Sequence, residues 1–283
     1  MKYIALYNPL SNNHKGKEAA EKLSAALPGE DIEYVDMLGI ENMDQYLANV
    51  DADYVVLCGG DGTLNHFAND VDGDNLEQEM LYFACGTGND FLNDVAKGSK
   101  KPISLNKYLK DLPVATVNGK SYKFLDNVGY GLDGYCCEVG DQIREKDPTA
   151  NINYAGIAVK GLLGAYAPTH ATVTVDGVTR EYDNVWLAPT MNGRYYGGGL
   201  MMGADQDRLN PDHEVTVIVY SGKSRFLALC KFPTVIFGKH PIFKKTVFLM
   251  KGHEVTVKYD KPKALQIDGE TFLNVSEYSV KTK

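Results

Sequence analysis

Two apolar runs in this chain, Tyr54-Val55-Val56-Leu57 and Leu81-Tyr82-Phe83-Ala84, each lead straight into a glycine-rich loop that carries a carboxylate and then opens a helical pattern. The first loop reads Cys58-Gly59-Gly60-Asp61-Gly62-Thr63-Leu64-Asn65 and the second Cys85-Gly86-Thr87-Gly88-Asn89-Asp90-Phe91. Glycines after a buried strand let the backbone approach a ligand, and the helix start that follows offers unpaired N–H groups to an anion. Both features suit phosphate. Neighbouring strands of an open parallel sheet end at one edge, so two such loops share a crevice, and the exit of the first strand, Asn8-Pro9-Leu10-Ser11-Asn12-Asn13, adds a third polar turn there. A carboxylate in a phosphate seat repels its ligand unless a divalent cation intervenes, so Asp61 points to a magnesium nucleotide. A tight connection in which Asp61 merely caps a helix explains one such loop equally well. Three converging exits weigh against it.

The spacing excludes better-known nucleotide sites. There is no G-x-x-x-x-G-K-[ST] run, no G-x-G-x-x-G after the first strand, and no HRD or DFG downstream of the glycines.

Around these loops the chain alternates strand and helix patterns. Tyr3–Tyr7, Ile32–Met37, Tyr54–Leu57 and Leu81–Ala84 read as strands, with helical stripes between them at Ala19/Ala20/Leu23/Leu27, Ile40/Met43/Leu47, Leu64/Phe67/Ala68 and Leu92/Val95. This predicts an α/β nucleotide-binding domain over residues 1–115, a Rossmann-like three-layer arrangement around a parallel sheet. From 116 to 283 the pattern changes to strands and hairpins, with turn signals at Asn118-Gly119, Asp176-Gly177 and Asp268-Gly269. Here the expectation is a β-rich, mostly antiparallel, sandwich-like domain whose last strand returns to the first domain, with irregular segments such as 134–160 choosing the substrate.

The balance of 29 Lys+Arg against 37 Asp+Glu argues against nucleic acid as a partner. Five cysteines, odd in number and without CxxC spacing, suit reduced thiols in a cytoplasm. No stretch approaches a membrane span. One region departs from the acidic whole. Between Glu214 and Glu254 there is no carboxylate, while lysines and Arg225 interleave with Phe and Leu over 223–251. This pattern fits either peripheral contact with the inner face of a membrane or a core helix with solvated lysines. Edge strands in the second domain leave a homodimer open.

At these residues the chain resembles the diacylglycerol kinase catalytic-domain family of lipid kinases, particularly its soluble bacterial members. The resemblance rests on Asn8-Pro9-x-Ser11, Gly59-Gly60-Asp61-Gly62-Thr63-Leu64-Asn65, Gly86-Thr87-Gly88-Asn89-Asp90-Phe91, Asn127 and Gly131, Tyr196-Gly197-Gly198-Gly199, and Asp268-Gly269-Glu270. It implies ATP-dependent transfer of the γ-phosphoryl group to a lipid hydroxyl such as that of diacylglycerol. Asp268 would act as general base, with Glu270 orienting or sharing that role. Asn8, Pro9, Ser11, Gly59, Gly60, Asp61, Gly62, Thr63, Asn65, Gly86, Thr87 and Asn89 would bind the nucleotide, and Asp61 and Asp90 would hold Mg²⁺. Asp212 matches a separate structural cation site, although its loop reads equally as a strand-entry turn. Departures are Asn12 and Cys85, where the family has glycine and commonly proline, and the strand Pro113–Val117, which lacks the family's acidic residue. Two alternatives remain at this point: a kinase of a non-lipid alcohol such as NAD, and a nucleotide-binding regulator without turnover.

Overall fold

The computed structural model describes residues 1–86, 88–147 and 149–283 and falls into two units, Met1–Leu112 and Pro113–Lys283. In the first unit the strands β1 (Lys2–Tyr7), β2 (Asp31–Asp36), β3 (Tyr54–Gly59), β4 (Met80–Ala84) and β5 (Ile103–Ser104) lie in the order β2-β1-β3-β4-β5. The pairs among β1 to β4 are parallel, and β5 closes the edge antiparallel to β4. Central parallel strands are covered on both faces, so their apolar runs are nearly continuous. Val55 to Gly59 are all buried, whereas the edge strand β2 carries the exposed Asp31, Glu33 and Asp36. The helix Asp61–Asp70 starts where β3 stops and buries Leu64, Phe67 and Ala68, the positions its helical spacing predicts.

The second unit contains β6 (Val114–Val117), β7 (Lys120–Lys123), β8 (Asn127–Tyr130), β9 (Thr169–Val175), β10 (Val178–Leu187), β11 (Thr190–Met191), β12 (Val215–Ser221), β13 (Val247–Gly252), β14 (Glu254–Ile267) and β15 (Glu270–Lys281). Their order is β7-β6-β15-β14-β8-β11-β12-β10-β9, with β13 on β12 and β9 also on β14. That last pairing closes a ring of antiparallel strands, β14-β8-β11-β12-β10-β9. A core that includes Tyr130, Val173, Val217, Val257 and Tyr259 from these strands, together with Tyr278 of β15, packs as one cluster. β14 serves the ring twice: Val255–Tyr259 pair with β9, and Leu265–Ile267 pair with β8. The turn pairs Asn118-Gly119, Asp176-Gly177 and Asp268-Gly269 all have positive φ at both residues, as two-residue hairpin turns of the I′ kind require.

Two expectations need correction. The stretch 134–160 is largely helical, with helices Leu132–Lys146 and Tyr154–Lys160. Gly134 is there because the helix runs hard against β14; a Cβ on it would lie 2.1 Å from the Ala264 carbonyl oxygen. Nor does the last strand leave its unit, since β15 pairs with β14 and β6. Among the described residues no helix is long and apolar enough to cross a membrane.

Candidate functional site

In the first unit the two glycine loops touch backbone to backbone. A Cβ on Gly86 would lie 2.5 Å from the Gly60 Cα, and one on Gly60 would lie 3.1 Å from the Gly86 Cα. Any side chain at Gly86 would push the loops apart. Asp61 ties them electrostatically: its Oδ2 accepts from the Asp90 backbone N–H at 2.9 Å and its Oδ1 from that of Phe91 at 3.2 Å. It therefore caps the helix Asp90–Ala96 of the other loop rather than its own helix. Asp90 begins that helix and is itself buried. Asn89 adopts a left-handed conformation, φ 52°, and its Nδ2 donates to the Gly86 carbonyl at 2.9 Å, which holds the second loop closed. Thr87 lies outside the described residues.

Gly62 differs from its neighbours. Among the described residues, none outside its own helix and its chain neighbours comes within 4 Å of where its Cβ would be, and its φ is not positive. Among the described residues neither backbone conformation nor packing explains a glycine here, in a half-buried first turn that leaves room beside it. Thr63 and Asn65, by contrast, are buried in the helix that follows, and Thr63 packs on Gly59.

The exit of β1 forms its own knot. Asn8 Oδ1 accepts from the Leu10 N–H at 2.9 Å, and the Asn8 carbonyl accepts from both the N–H and the Oγ of Ser11 at 3.1 and 2.8 Å. Asn12, Asn13 and His14 then take positive φ of 53°, 56° and 62°. Asparagine tolerates this conformation, so Asn12 fills a glycine-like position at little cost. Gly16, which the sequence reading overlooked, packs on the Asn8 carbonyl with no room for a Cβ.

The second unit holds the Asp268-Gly269-Glu270 turn between β14 and β15. The Asp268 carboxylate accepts three backbone N–H bonds, from Leu125 at 2.6 Å, Asp126 at 2.9 Å and Asn127 at 2.8 Å, and its own N–H donates to the Asn127 carbonyl. Three amide donors fix the orientation of this carboxylate. Asp268 is thus a clamp on the entry of β8, while Glu270 is exposed at the start of β15. The same entry is braced by a buried ion pair, Arg208 Nη2 to Asp126 Oδ1 at 2.6 Å, and by Asn192, whose Nδ2 donates to the Leu125 carbonyl. Neither Arg208 nor Asn192 carried a local sequence signal, because each acts on a segment distant in the chain.

Asp133 was also missed, although it lies in the Gly131-Leu132-Asp133-Gly134 run. Burial pushes its carboxyl up to about 6, against the pull of the Gly134 N–H and of the nearby Gln266 amide. Its Oδ2 and Gln266 Nε2 both crowd the position a Cβ on Gly129 would need, and neither reaches a partner at good hydrogen-bond geometry.

Asp212 sits in an exposed turn where its carbonyl is met by His253 Nε2 at 2.7 Å. Among the described residues no three His, Cys, Asp or Glu side chains gather as metal ligands, at Asp212 or elsewhere. β6 carries no carboxylate, in keeping with its sequence.

Two family models give the class, that of the diacylglycerol kinase-like lipid kinases. Residues 2–117 match the family described as "Diacylglycerol kinase catalytic domain", and residues 126–279 match "YegS C-terminal NAD kinase beta sandwich-like domain". The chain belongs to the diacylglycerol kinase catalytic-domain family. It is 26% identical over 252 residues to a diacylglycerol kinase of Mycobacterium tuberculosis (strain CDC 1551 / Oshkosh), covering 84% of this chain and 79% of that one. In fold it is similar to the crystal structure of a diacylglycerol kinase from Bacillus anthracis str. Sterne, with a TM-score of 0.66 at 19% identity, covering 99% of this chain and 93% of that one.

Proposed function

We propose that this protein transfers the γ-phosphoryl group of ATP to the hydroxyl of a lipid such as diacylglycerol. The observation that carries the proposal is the pair of glycine loops held in backbone contact at Gly60 and Gly86, with Gly62 leaving open space at a helix start. Phosphoryl transfer needs positioning and charge neutralisation more than covalent help, and such a seat supplies both. The amides of 59–63 would hold the phosphates, with Gly62 bare because the ligand comes close. Asn8, Pro9, Ser11, Asn65, Gly86, Thr87 and Asn89 would shape the nucleotide side.

Asp61 and Asp90, hard oxygen donors at adjoining loop ends, fit a Mg²⁺ ion better than a softer metal, and they would hold it with water completing the shell. When bound, the ion neutralises charge on the transferring phosphates. Asp212 is not part of this proposal.

In the transfer the lipid O–H gives its proton to a carboxylate, its oxygen bonds to the γ-phosphorus, and the bond to the β-phosphate oxygen breaks to release ADP. The Asp268-Gly269-Glu270 turn supplies that carboxylate. Asp268 is held by three amides and sets the geometry of the turn, whereas Glu270 is the more accessible of the two. The five free thiols support a reducing cytoplasm as the place of action.

The test is phosphate transfer from γ-labelled ATP with Mg²⁺ to a panel of lipids in mixed micelles, with NAD run alongside. A labelled lipid is the expected product. Label on NAD, or on no acceptor while ATP still binds, overturns the reading.

A further inference from the structure

The helix Arg225–Lys231 runs on through Phe232, whose φ and ψ are helical, into Pro233–Ile236; the segments part only because Pro233 has no N–H to donate. On this continuous turn of chain Ala228, Phe232 and Val235 point inward and are buried. The opposite face, at i, i+4, i+7 and i+11, carries Phe226, Cys230, Pro233 and Phe237, all exposed, flanked by Leu227 and Ile236. A surface helix normally turns charge to solvent on that side. This one turns two phenyl rings that are 72% and 67% exposed.

The patch continues beyond the helix. Arg225 Nη1 donates to the Tyr166 carbonyl at 2.7 Å and so ties the helix start to the preceding turn, where Leu163 is 64% exposed. After the helix, Ile242 is 68% exposed. Exposed lysines flank the hydrophobic residues along the chain: Lys223 before the helix, and Lys239, Lys244 and Lys245 after it. The other cations of the region are engaged within the protein, Lys231 with Thr246 and Lys251 with the Asp205 carbonyl. No carboxylate lies between Glu214 and Glu254 in a chain whose net charge is −8.

We propose that this face docks on an anionic lipid bilayer, with the aromatic and aliphatic side chains entering the headgroup boundary and the lysines meeting acidic headgroups. The charge selects this occupant. A second copy presenting the same face would bring lysine against lysine, and an uncharged partner would leave the lysines unmatched. Apolar burial and electrostatic attraction add at a bilayer of acidic lipid, and neither alone is large for so small a patch.

The inference rests on the lipid-kinase reading for its purpose, and vesicle flotation without ATP separates the two. Wild-type protein is expected to float with phosphatidylcholine vesicles that contain phosphatidylglycerol, to stay behind with phosphatidylcholine alone, and to be released by salt. Phe226→Ser/Phe237→Ser and Lys239→Glu/Lys244→Glu/Lys245→Glu are each expected to lose partitioning by about ten-fold or more. All five side chains are exposed, so melting curves should match wild type. A monomeric short-chain diacylglycerol should be phosphorylated equally by both variants. Flotation of the variants at the wild-type level, no flotation of wild type, or a wild-type dimer that Phe226→Ser/Phe237→Ser dissociates would each overturn the proposal. Flotation as expected with no kinase activity would sink the kinase reading and leave the docking face standing.

Discussion

Replacing Asp268 by alanine removes the acceptor of three backbone N–H groups at 2.6, 2.9 and 2.8 Å. Hydrogen bonds to a charged group are worth about 1.5–3 kcal/mol each when dry. Asp268 is half-buried, so water satisfies part of what is lost, and about 1 kcal/mol per bond is the better figure. The sum is about 3 kcal/mol, which for a unit of this length lowers Tm by about 6–12 °C. Asp268→Asn keeps an oxygen toward Asp126 and Asn127 but turns an NH₂ toward the Leu125 amide, and should fall between wild type and alanine. Glu270→Gln touches none of these bonds and should melt with wild type, while losing turnover by about 10²–10⁴-fold if Glu270 takes the proton. Calorimetric melting at neutral pH beside initial rates gives both readings. An Asp268→Ala protein that melts within about 2 °C of wild type refutes the clamp. If the clamp holds, lost activity in that variant says nothing about which carboxylate accepts the proton, and Glu270→Gln becomes the informative substitution.

Gly86→Ala and Gly62→Ala should behave oppositely. The first drives a methyl to 2.5 Å from the Gly60 Cα and should destabilise the first unit by about 1–3 kcal/mol in chemical denaturation. The second meets open space, should leave stability unchanged or raise it by up to about 1 kcal/mol, and should weaken ATP binding about ten-fold in calorimetric titration. Full ATP affinity in Gly62→Ala would detach the open space from the nucleotide. Asp133, pushed up to about 6 in the folded protein from an ordinary 3.8, binds its proton more tightly folded than unfolded. Its contribution is fully present below the unfolded value and is lost as pH rises through about 6, a loss of up to about 3 kcal/mol. Asp133→Asn should therefore flatten the fall in stability between about pH 4 and pH 7, and identical slopes in the two proteins would show that Asp133 is not the group responsible.

The first unit was legible because its signals are local. Parallel strands buried on both faces give unbroken apolar runs, and Leu64, Phe67 and Ala68 have the helical spacing their burial requires. The three Asx-Gly pairs named their turns for the same reason, since a left-handed pair restricts residue type directly. What stayed hidden depends on distant partners. Nothing local marks Gly134 as a packing residue until Ala264 is seen against it, and Asp268 looks like a turn residue or a base until the amides of 125–127 are found on it. The Arg225–Ile236 segment was ambiguous in principle. Phe and Leu at every angle fit both a buried helix and a membrane-facing one, and only the exposure of Phe226 and Phe237 tells the two faces apart.

The ring of the second unit has a bearing on how the chain is made. β6 is the first strand of that unit, and its partner β15 is the last; Leu125 waits for Asp268 across 143 positions. At about 5–20 residues per second, the ribosome takes about 7–30 s to deliver that partner. During that time β8 and then β9 emerge without β14, leaving unpaired edges on the nascent chain. Topologies dominated by such distant pairings fold slowly and are prone to aggregate. The late hairpin that carries Asp268 and Glu270 thus also supplies β14, the strand that closes the ring, so the ring cannot be complete before its carboxylate turn is made.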